Sequence, residues 1–378
     1  MGHPLARGEV VSGVEPGRFF LPGPTEVHPD VLRAQVTAMF GHRSDEARTL
    51  VGGVDRGLRP IFGTAQPVMI GTMSATGFME AAIRNGVRRR VLCLVNGAFS
   101  GRFAQIARES EREVETLEVP WGETIDPEAV ADRLRSGRFD ALTMVHSETS
   151  TGALNPIADI AAVASEHDDV MVLVDSVSGL GGAEMAVDQW GIDLALTGGQ
   201  KALAMPPGLA FAVASERFLE RAGTLPDRGF YLDFVRFAAG ARLSQTPTTP
   251  AVTLMAAAHL QLQRIAAETV EGRLRRHGAM AEACHRRVEA LAEEGFAVEV
   301  VAPPGGRSPT VSCIRLPEGR SVEAFEAGMR RRGFVIAKGY GLLKEHTVRV
   351  GHMGEHTVEE LEAVMDAFAE ELRDPSQG

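Results

Sequence analysis

The chain has 378 residues, enough for two domains of ordinary size and for a core that needs no disulfide or metal support. Acidic residues outnumber basic ones by 50 to 39, and the net charge of −11 argues against nucleic acid or an acidic membrane surface as the main partner. The three cysteines lack metal-ligand spacing, which predicts reduced thiols and no metal site. The residues before Phe19 lack the apolar core of an export signal, and no apolar stretch approaches about 18 residues. We therefore expect a cytoplasmic protein without membrane segments.

Short apolar strands alternate with amphipathic helices in the first part of the chain. The predicted strands are 91–95, 141–145, 170–174, 194–196 and 209–213. Strands that are apolar on both faces, and that are separated by helices, predict an α/β fold with a mostly parallel sheet covered on both sides. Ligands bind such sheets at the carboxyl ends of the strands, so the residues that follow each strand are the candidates for chemistry.

A different pattern follows Ser244. Thr249 and Pro250 predict the start of a long helix that runs to about residue 268, and a charged helix is predicted over about 271–294. Strands are predicted at 296–300, 310–314 and 348–350, and a capping-box pattern at 357–360 precedes the last helix. The predicted organisation is an N-terminal arm over 1–20, a large sheet domain over 21–264 and a smaller C-terminal α+β domain over 265–378.

Two residues at consecutive strand ends carry the strongest chemical signal. Asp175 follows the apolar strand 170–174, and Lys201 follows the next strand in a glycine-rich, uncharged stretch. Separately, such an aspartate is also typical of a turn and such a lysine of the surface. Together they match the needs of pyridoxal phosphate, which takes an amine as a Schiff base and a carboxylate that keeps its ring nitrogen protonated.

A phosphate-binding turn is predicted between Gly71 and Ala82. Here small hydroxyl residues lead directly into a helix, and Ser74 or Thr76 can cap it. The free N–H groups and the dipole of a helix N-terminus attract a phosphate dianion. The Walker and Rossmann glycine patterns are both absent, and the stretch is also typical of an ordinary helix cap.

Several motifs in combination resemble one enzyme family. They are Pro22-Gly-Pro-Thr25, Gly41-His-Arg-Ser44, the turn 74–77, Asn96-Gly97, the His146-to-Gly152 segment, Asp175-Ser-Val-Ser178 and Gly199-Gln-Lys201. From Leu21 to Gly354 the chain resembles a fold-type I, class V pyridoxal-phosphate aminotransferase of the alanine–glyoxylate/serine–pyruvate type. The resemblance implies the fold of that group, with the cofactor held by the large domain.

The resemblance also implies a set of site residues. Lys201 would form the Schiff base and transfer the proton, and Asp175 would pair with the pyridine nitrogen. The other implied cofactor contacts are Ser74, Ala75 and Thr76 at the phosphate, Phe99 stacked on the ring, Thr149 at the phenolic oxygen, Gln200 on the phosphate side, and Thr248 at the phosphate of the partner subunit. The contact from Thr248 implies a homodimer with shared active sites. Gln245 replaces a tyrosine of some relatives and weakens that cross-subunit contact.

For the substrate, the resemblance implies that Arg349 clamps the carboxylate and that Gly23 and Thr25 lie around a pocket for a short side chain. The planar fork of a guanidinium suits a carboxylate, although strand arginines also form surface ion pairs. A hydrogen-bonding role is expected for His42 and Arg43, and His146 and Glu148 are expected to orient the cofactor strand.

The implied reaction is a ping-pong transamination between a small amino acid, alanine or serine, and a 2-oxo acid, glyoxylate or pyruvate. A 2-aminoethylphosphonate–pyruvate aminotransferase is an open alternative. A lyase such as a cysteine desulfurase is less favoured, because it needs a thiolate on a mobile loop and the three cysteines lie in strand or helix patterns. A non-catalytic binding module is expected to lack Lys201 or Asp175. A dicarboxylic substrate would need a second arginine, which the sequence does not place.

Overall fold

The structure is a computed structural model that describes residues 17–135 and 137–374. Residues 1–16 of the predicted arm lie outside the described residues. The helices are α1 (Pro29–Arg33), α2 (Asp45–Phe62), α3 (Ala75–Gly86), α4 (Ala98–Glu109), α5 (Pro127–Leu134), α6 (Ile157–Ala164), α7 (Glu216–Thr224), α8 (Phe234–Arg242), α9 (Val252–Glu268), α10 (Val270–Glu293), α11 (Val322–Arg331) and α12 (Val358–Arg373). The strands are β1 (Met69–Gly71), β2 (Arg90–Val95), β3 (Glu113–Glu118), β4 (Ala141–Val145), β5 (Ser147–Glu148), β6 (Ala153–Leu154), β7 (Met171–Asp175), β8 (Leu194–Gly198), β9 (Ala210–Ala214), β10 (Glu299–Val300), β11 (Val311–Arg315), β12 (Ala337–Lys338) and β13 (Thr347–Gly351).

The larger sheet has the strand order β1-β9-β8-β7-β4-β2-β3. Neighbouring strands from β8 to β3 are parallel, and β9 is antiparallel to both of its neighbours. Every residue of β4, β7 and β8 is buried because apolar clusters cover both faces of the sheet. This arrangement confirms the predicted mostly parallel sheet, and the carboxyl ends of β4, β7 and β8 lie side by side at one edge.

The smaller sheet is antiparallel throughout, with the order β10-β11-β13-β12. Its core includes Phe325 from α11 and Phe368 from α12, whose rings lie 4.7 Å apart. Phe20, from the start of the described chain, is buried in the same core, and its N–H donates to the Val335 carbonyl at 2.8 Å. The domain limits at 20/21 and 264/265 remain predictions.

Two predicted helix starts have different outcomes. The capping box before α12 is confirmed, because Glu360 N donates to Thr357 Oγ1 at 3.2 Å and Thr357 N donates to Glu360 Oε2 at 3.0 Å. The predicted start of α9 at Pro250 is wrong, since the helix begins at Val252. Ala251 N donates to Thr72 Oγ1 at 3.1 Å, a tertiary contact that fixes the backbone just before the helix.

Among the described residues, no helix is long and apolar enough to cross a bilayer. The same residues contain no group of three or more His, Cys, Asp or Glu side chains that could hold a metal ion.

Candidate active site

A cavity of about 160 Å³ lies at the carboxyl edge of the larger sheet. The side chains around it come from the ends of β4, β7 and β8 and from the first turns of α3 and α4. The lining residues are Ser74, Ala75, Thr76, Met79, Phe99, Arg102, Val145, Ser147, Thr149, Asp175, Val177, Ser178, Gln200 and Lys201. Residues predicted from separate motifs therefore surround one cavity.

Lys201 follows β8 and reaches into this cavity. Its Nζ donates a hydrogen bond to the Pro22 carbonyl. Burial is the main cause that lowers the pKa of Lys201 to about 8, the charges of Arg349 and Arg102 act in the same direction, and Asp175 opposes them. A substantial fraction of the amine is therefore neutral near pH 7 to 8, the form that can act as a nucleophile or base.

Asp175 is the last residue of β7, and only 3% of it is exposed. Its Oδ1 accepts one hydrogen bond, from Val177 N at 2.8 Å. Burial is the main cause that raises the pKa of Asp175 to about 6, and the charge of Glu148 acts in the same direction. The hydrogen bond from Val177 and the charge of Lys201 act against them. No cationic side chain among residues 17–135 and 137–374 forms an ion pair with this carboxylate, so it can pair with a cationic ligand atom.

The N-terminus of α3 forms another side of the cavity. Ser74 is the N-cap residue, but its side chain makes no capping hydrogen bond, and the first turn carries no acidic residue. The hydroxyls of Ser74 and Thr76 and the positive end of the helix dipole are thus available to an anion. Ala75, between them, is buried.

Phe99, in the first turn of α4, is positioned by a buried carboxylate. Glu148 Oε2 accepts from Phe99 N at 3.1 Å and from Ser100 N at 2.9 Å, and this charge suits a helix N-terminus. A Cβ on Gly97 would lie 2.4 Å from Glu148 Cγ, so only glycine allows this approach. The orienting role expected of Glu148 is therefore specific: its carboxylate fixes the start of α4.

Arg349 lies on β13 of the smaller sheet, 9% exposed, opposite Cys313 of β11. Its Nε donates to the Lys338 carbonyl at 2.9 Å, and its Nη1 lies 3.4 Å from the Thr149 carbonyl. No acidic side chain in the described part of the chain lies within ion-pair distance of it. A buried cation without a carboxylate partner is costly, which makes this guanidinium a candidate for binding a ligand anion.

The segment before α1 packs against Lys201, but Gly23 and Thr25 do not line the cavity. The φ angle of Gly23 is +107°, and a Cβ there would lie 2.4 Å from Lys201 Cδ. Thr25 is buried, and its Oγ1 donates to the Lys201 carbonyl at 3.0 Å, while its N–H donates to the Gln200 carbonyl. In the structure Thr25 therefore holds the backbone of the lysine, and its predicted contact with substrate stays a prediction.

The other predicted residues fall in two places. Thr149 lines the cavity with its Oγ1 at 2.5 Å from Ser178 Oγ, and Gln200 lines it beside Lys201. Thr248 is exposed and does not line the cavity of its own chain. The segment before it is held by Arg43, which donates to the Thr246 carbonyl at 2.8 Å.

Sequence reasoning missed two side chains at this site, Arg102 and Tyr340. Arg102 Nη2 donates to Tyr340 Oη at 3.1 Å, and the Tyr340 ring stacks on Phe99 with 5.4 Å between centroids. Arg102 follows Phe99 by three residues on α4, so helical periodicity alone could have placed both on one face. Tyr340 comes from a distant loop, and no local signal pointed to it.

The three cysteines and a second groove are two other places where a functional site could be sought. The three cysteines are buried, and burial raises the pKa of Cys93 and Cys313 to about 11 and that of Cys284 to about 12, so none is suited to be a reactive thiolate. A larger groove of about 420 Å³ lies elsewhere, but its carboxylates are satisfied: Asp188 accepts from Thr64 Oγ1 at 2.6 Å, and Asp193 pairs with Arg217 at 2.5 Å.

Comparisons with known proteins agree on one family. The family described as "Aminotransferase class-V" matches residues 32–363. An uncharacterized aminotransferase of Methanocaldococcus jannaschii is 38% identical over 342 residues, which cover 89% of this chain and 87% of that protein.

Solved structures show the same relation. The aspartate aminotransferase of subgroup IV from Thermus thermophilus superposes with a TM-score of 0.84 at 35% identity, covering 94% of this chain and 99% of the other. An alanine–glyoxylate aminotransferase from Nostoc sp. superposes with a TM-score of 0.88 at 28% identity, covering 96% and 98%.

Proposed function

The chain belongs to the class-V aminotransferases, and from that premise we propose that it uses pyridoxal 5′-phosphate to exchange an amino group between a small amino acid and a 2-oxo acid. The proposed donor is alanine or serine and the proposed acceptor glyoxylate or pyruvate, in a ping-pong reaction. One observation carries the proposal: the half-buried Lys201 and the buried Asp175 line one cavity, and neither has an ion-pair partner in the described residues.

The residues present fit the cofactor. The unpaired Asp175 carboxylate suits a protonated ring nitrogen, and the uncapped N-terminus of α3 at Ser74 and Thr76 suits a phosphate. Lys201 would hold the cofactor by its amine, Phe99 would stack on its ring and Thr149 would bond its phenolic oxygen. When bound, pyridoxal phosphate supplies a carbonyl that condenses with amines and a protonated ring that accepts electrons from the substrate Cα.

The protein's part in the reaction follows from charge and position. Burial lowers the pKa of Lys201 to about 8, so its amine would be suited to take a proton from the substrate Cα and to hold it beside the cofactor. Arg349 would bind the substrate carboxylate with its guanidinium fork and so orient the Cα toward the lysine. Glu148 would keep Phe99 in place through the first turn of α4.

We also propose that the active form is a homodimer. Thr248 is exposed on a segment that Arg43 holds in place, as a residue that serves a neighbouring subunit would be. Large apolar side chains are exposed at Val36 (83%), Met39 (72%) and Phe230 (69%), and a partner subunit would be able to cover them.

The first experiment is an absorbance titration of the purified protein with pyridoxal phosphate, alanine, serine, aspartate, glutamate and 2-aminoethylphosphonate. We expect a visible band that fades when an effective donor is added, with a 2-oxo acid released. Lys201→Ala should lack the band, and Lys344→Ala, which removes an exposed lysine, should keep it. Aspartate belongs in the series because the Thermus thermophilus structure is named for it.

Two outcomes would overturn the proposal. If no visible band forms with added cofactor, or if Lys201→Ala keeps it, a non-catalytic role is favoured. If 2-aminoethylphosphonate alone converts the band, the substrate assignment fails while the cofactor assignment stands.

A further inference from the structure

A second arginine without a carboxylate partner lies in the same cavity as Lys201. We propose that Arg102 binds the side-chain carboxylate of a dicarboxylic amino acid, so that the enzyme accepts donors of the aspartate or glutamate class in addition to small ones. This inference rests on the proposed function and adds a specificity-determining residue to it.

The direct partners of Arg102 are neutral, although the charge of Asp175 in the same cavity lies within electrostatic range of it. Its guanidinium lies 4.8 Å from the centre of the Phe99 ring, and Nη2 donates to the neutral hydroxyl of Tyr340 at 3.1 Å. No acidic side chain in residues 17–135 or 137–374 forms an ion pair with it. The neighbouring carboxylate, Glu148, is occupied by the N-terminus of α4 and by the hydroxyls of Ser100 and Ser150, at 2.9 and 2.6 Å.

Tyr340 links Arg102, which lines the cavity, to Arg349, which lies just outside its lining. The Arg349 guanidinium lies 5.5 Å from the centre of the Tyr340 ring, while the hydroxyl at the end of that ring bonds Arg102. One tyrosine thus contacts both arginines. An anion that Arg349 holds by one carboxylate can therefore present a second carboxylate, a short chain away, to Arg102.

The charge balance of the cavity supports two anionic groups beside the two arginines. Arg349 and Arg102 both disfavour the charged form of Lys201, so both lie within electrostatic range of the reacting amine. A monocarboxylate neutralises one of these cations and leaves the other buried or half-buried without a partner, whereas a dicarboxylate neutralises both. The cofactor phosphate is proposed at Ser74 and Thr76 on α3, where the helix N-terminus already provides donors.

The test compares donors in matched variants. Arg102→Met keeps the apolar contact with Phe99 and removes the charge, Arg102→Lys keeps a charge without the fork, and Arg108→Met removes an exposed arginine from the same helix. We expect Arg102→Met to lower kcat/KM for aspartate roughly 10- to 100-fold more than for alanine, the range of one charge-assisted hydrogen-bonded pair. Arg102→Lys should fall between, and Arg108→Met should match the unmodified enzyme for both donors.

A second readout does not depend on turnover. Calorimetric titration with maleate and propionate, which cannot react, should show that Arg102→Met loses maleate affinity by a similar factor and retains propionate affinity within a few-fold. The dissociation constant of pyridoxal phosphate is measured on the same variants, because a role at the phosphate would change that constant instead.

The outcomes separate the two proposals. If alanine and aspartate lose activity equally, or if Arg102→Met weakens pyridoxal phosphate and leaves the maleate preference intact, Arg102 is not a dicarboxylate-binding residue. If the unmodified enzyme turns over alanine or serine and neither uses aspartate or glutamate nor binds maleate better than propionate, the inference fails and the proposed function stands. If no donor reacts, the proposed function fails, and the maleate titration still decides the role of Arg102.

Discussion

Two buried arginines in this molecule have opposite surroundings. Arg273, on α10, donates to Glu268 at 2.9 Å and to Glu355 at 3.1 Å, and its Nη2 donates to the Ala202 carbonyl at 2.6 Å. Arg349, on β13, bonds only backbone carbonyls. Burial lowers the pKa of both; at Arg273 two directly paired carboxylates oppose this, whereas at Arg349 the one opposing carboxylate, Glu148, forms no ion pair with it. The difference separates a cation that stabilises the fold from one that is free to bind a ligand anion.

Arg273 also supports the candidate active site indirectly. Ala202, whose carbonyl Arg273 holds, directly follows Lys201, so the network ties α10 to the loop that carries Lys201. Glu355 is mostly buried, and although burial alone would raise its pKa, Arg273 and Arg264 lower it to about 2. The network is therefore fully charged at neutral pH.

The largest effect is expected from breaking that network. Arg273→Met removes the buried cation that Glu268 and Glu355 share and the donor to the Ala202 carbonyl, although Arg276 and Arg264 still pair with the two carboxylates. Because a buried network loses its central partner, we expect the unfolding free energy at pH 7 to fall by about 3–5 kcal/mol. Urea denaturation measures it, with Arg275→Met, an exposed arginine on the same helix, as the control. A loss no larger than that of the control would show that the pairing contributes nothing to stability.

The next effect concerns the unpaired carboxylate. The raised pKa of Asp175, about 6 against an ordinary 3.8, means that its ionised form is disfavoured in the folded protein. Below about pH 4 the group is protonated in both folded and unfolded chains and costs nothing; the cost develops up to about pH 6 and is complete above it. In cofactor-free protein, Asp175→Asn should therefore raise the unfolding free energy by about 3 kcal/mol at pH 7 and by about half as much at pH 5.

Paired denaturation curves at the two pH values test this prediction. A variant that is less stable than the parent at pH 7, or a difference that does not shrink toward pH 5, would contradict it. The same variant should lose transaminase activity, because a neutral amide cannot keep a ring nitrogen protonated.

Most of the larger sheet could be predicted from the sequence, for physical reasons that also explain what was missed. The buried strands β4, β7 and β8 are apolar runs that are bounded by polar or glycine residues. The edge strand β3 reads Glu-Val-Glu-Thr-Leu-Glu and is half-exposed, and β1 has three residues, so neither gives a strong pattern. The true start of α9 depends on a contact with Thr72, which lies far away in sequence.

The candidate site divides in the same way. Lys201 and Asp175 could be located because strand ends in a parallel sheet converge. Which arginine has a carboxylate partner could not be predicted, because the deciding contacts join residues far apart. Arg102 and Tyr340 are separated by 238 positions and Arg273 and Glu355 by 82, although Glu268, the other partner of Arg273, is five positions away. The distinction between structural and ligand-binding cations appears only in three dimensions.

A smaller effect is expected for Arg349, where the substitution should lower activity and not stability. Arg349→Met should lower kcat/KM for every carboxylate-bearing donor roughly 10- to 100-fold, since a charge-assisted hydrogen-bonded pair is lost. The unfolding free energy should stay equal or rise, because a buried charge without a counterion is removed. Steady-state kinetics and urea denaturation of one preparation give both numbers.

The control for that variant is Arg315→Met, which breaks a half-exposed pair with Glu299 at 2.7 Å on the neighbouring strand. We expect at most about 1 kcal/mol of destabilisation and no kinetic change. If Arg349→Met instead destabilises the fold as Arg273→Met does, the contrast between the two arginines is wrong.

The smallest effect extends the comparison to the carboxylates. Glu148 is as buried as Asp175, but it accepts hydrogen bonds from Ser100 N at 2.9 Å and Ser150 Oγ at 2.6 Å and lies at the start of α4. Glu148→Gln places an N–H₂ group against these donors and removes a charge favoured by the helix dipole, so we expect a loss of about 1–2 kcal/mol in unfolding free energy. Urea denaturation of the cofactor-free variants should thus give opposite signs for Glu148→Gln and Asp175→Asn. The same sign for both would mean that burial alone, and not the presence of partners, decides what each carboxylate costs the fold.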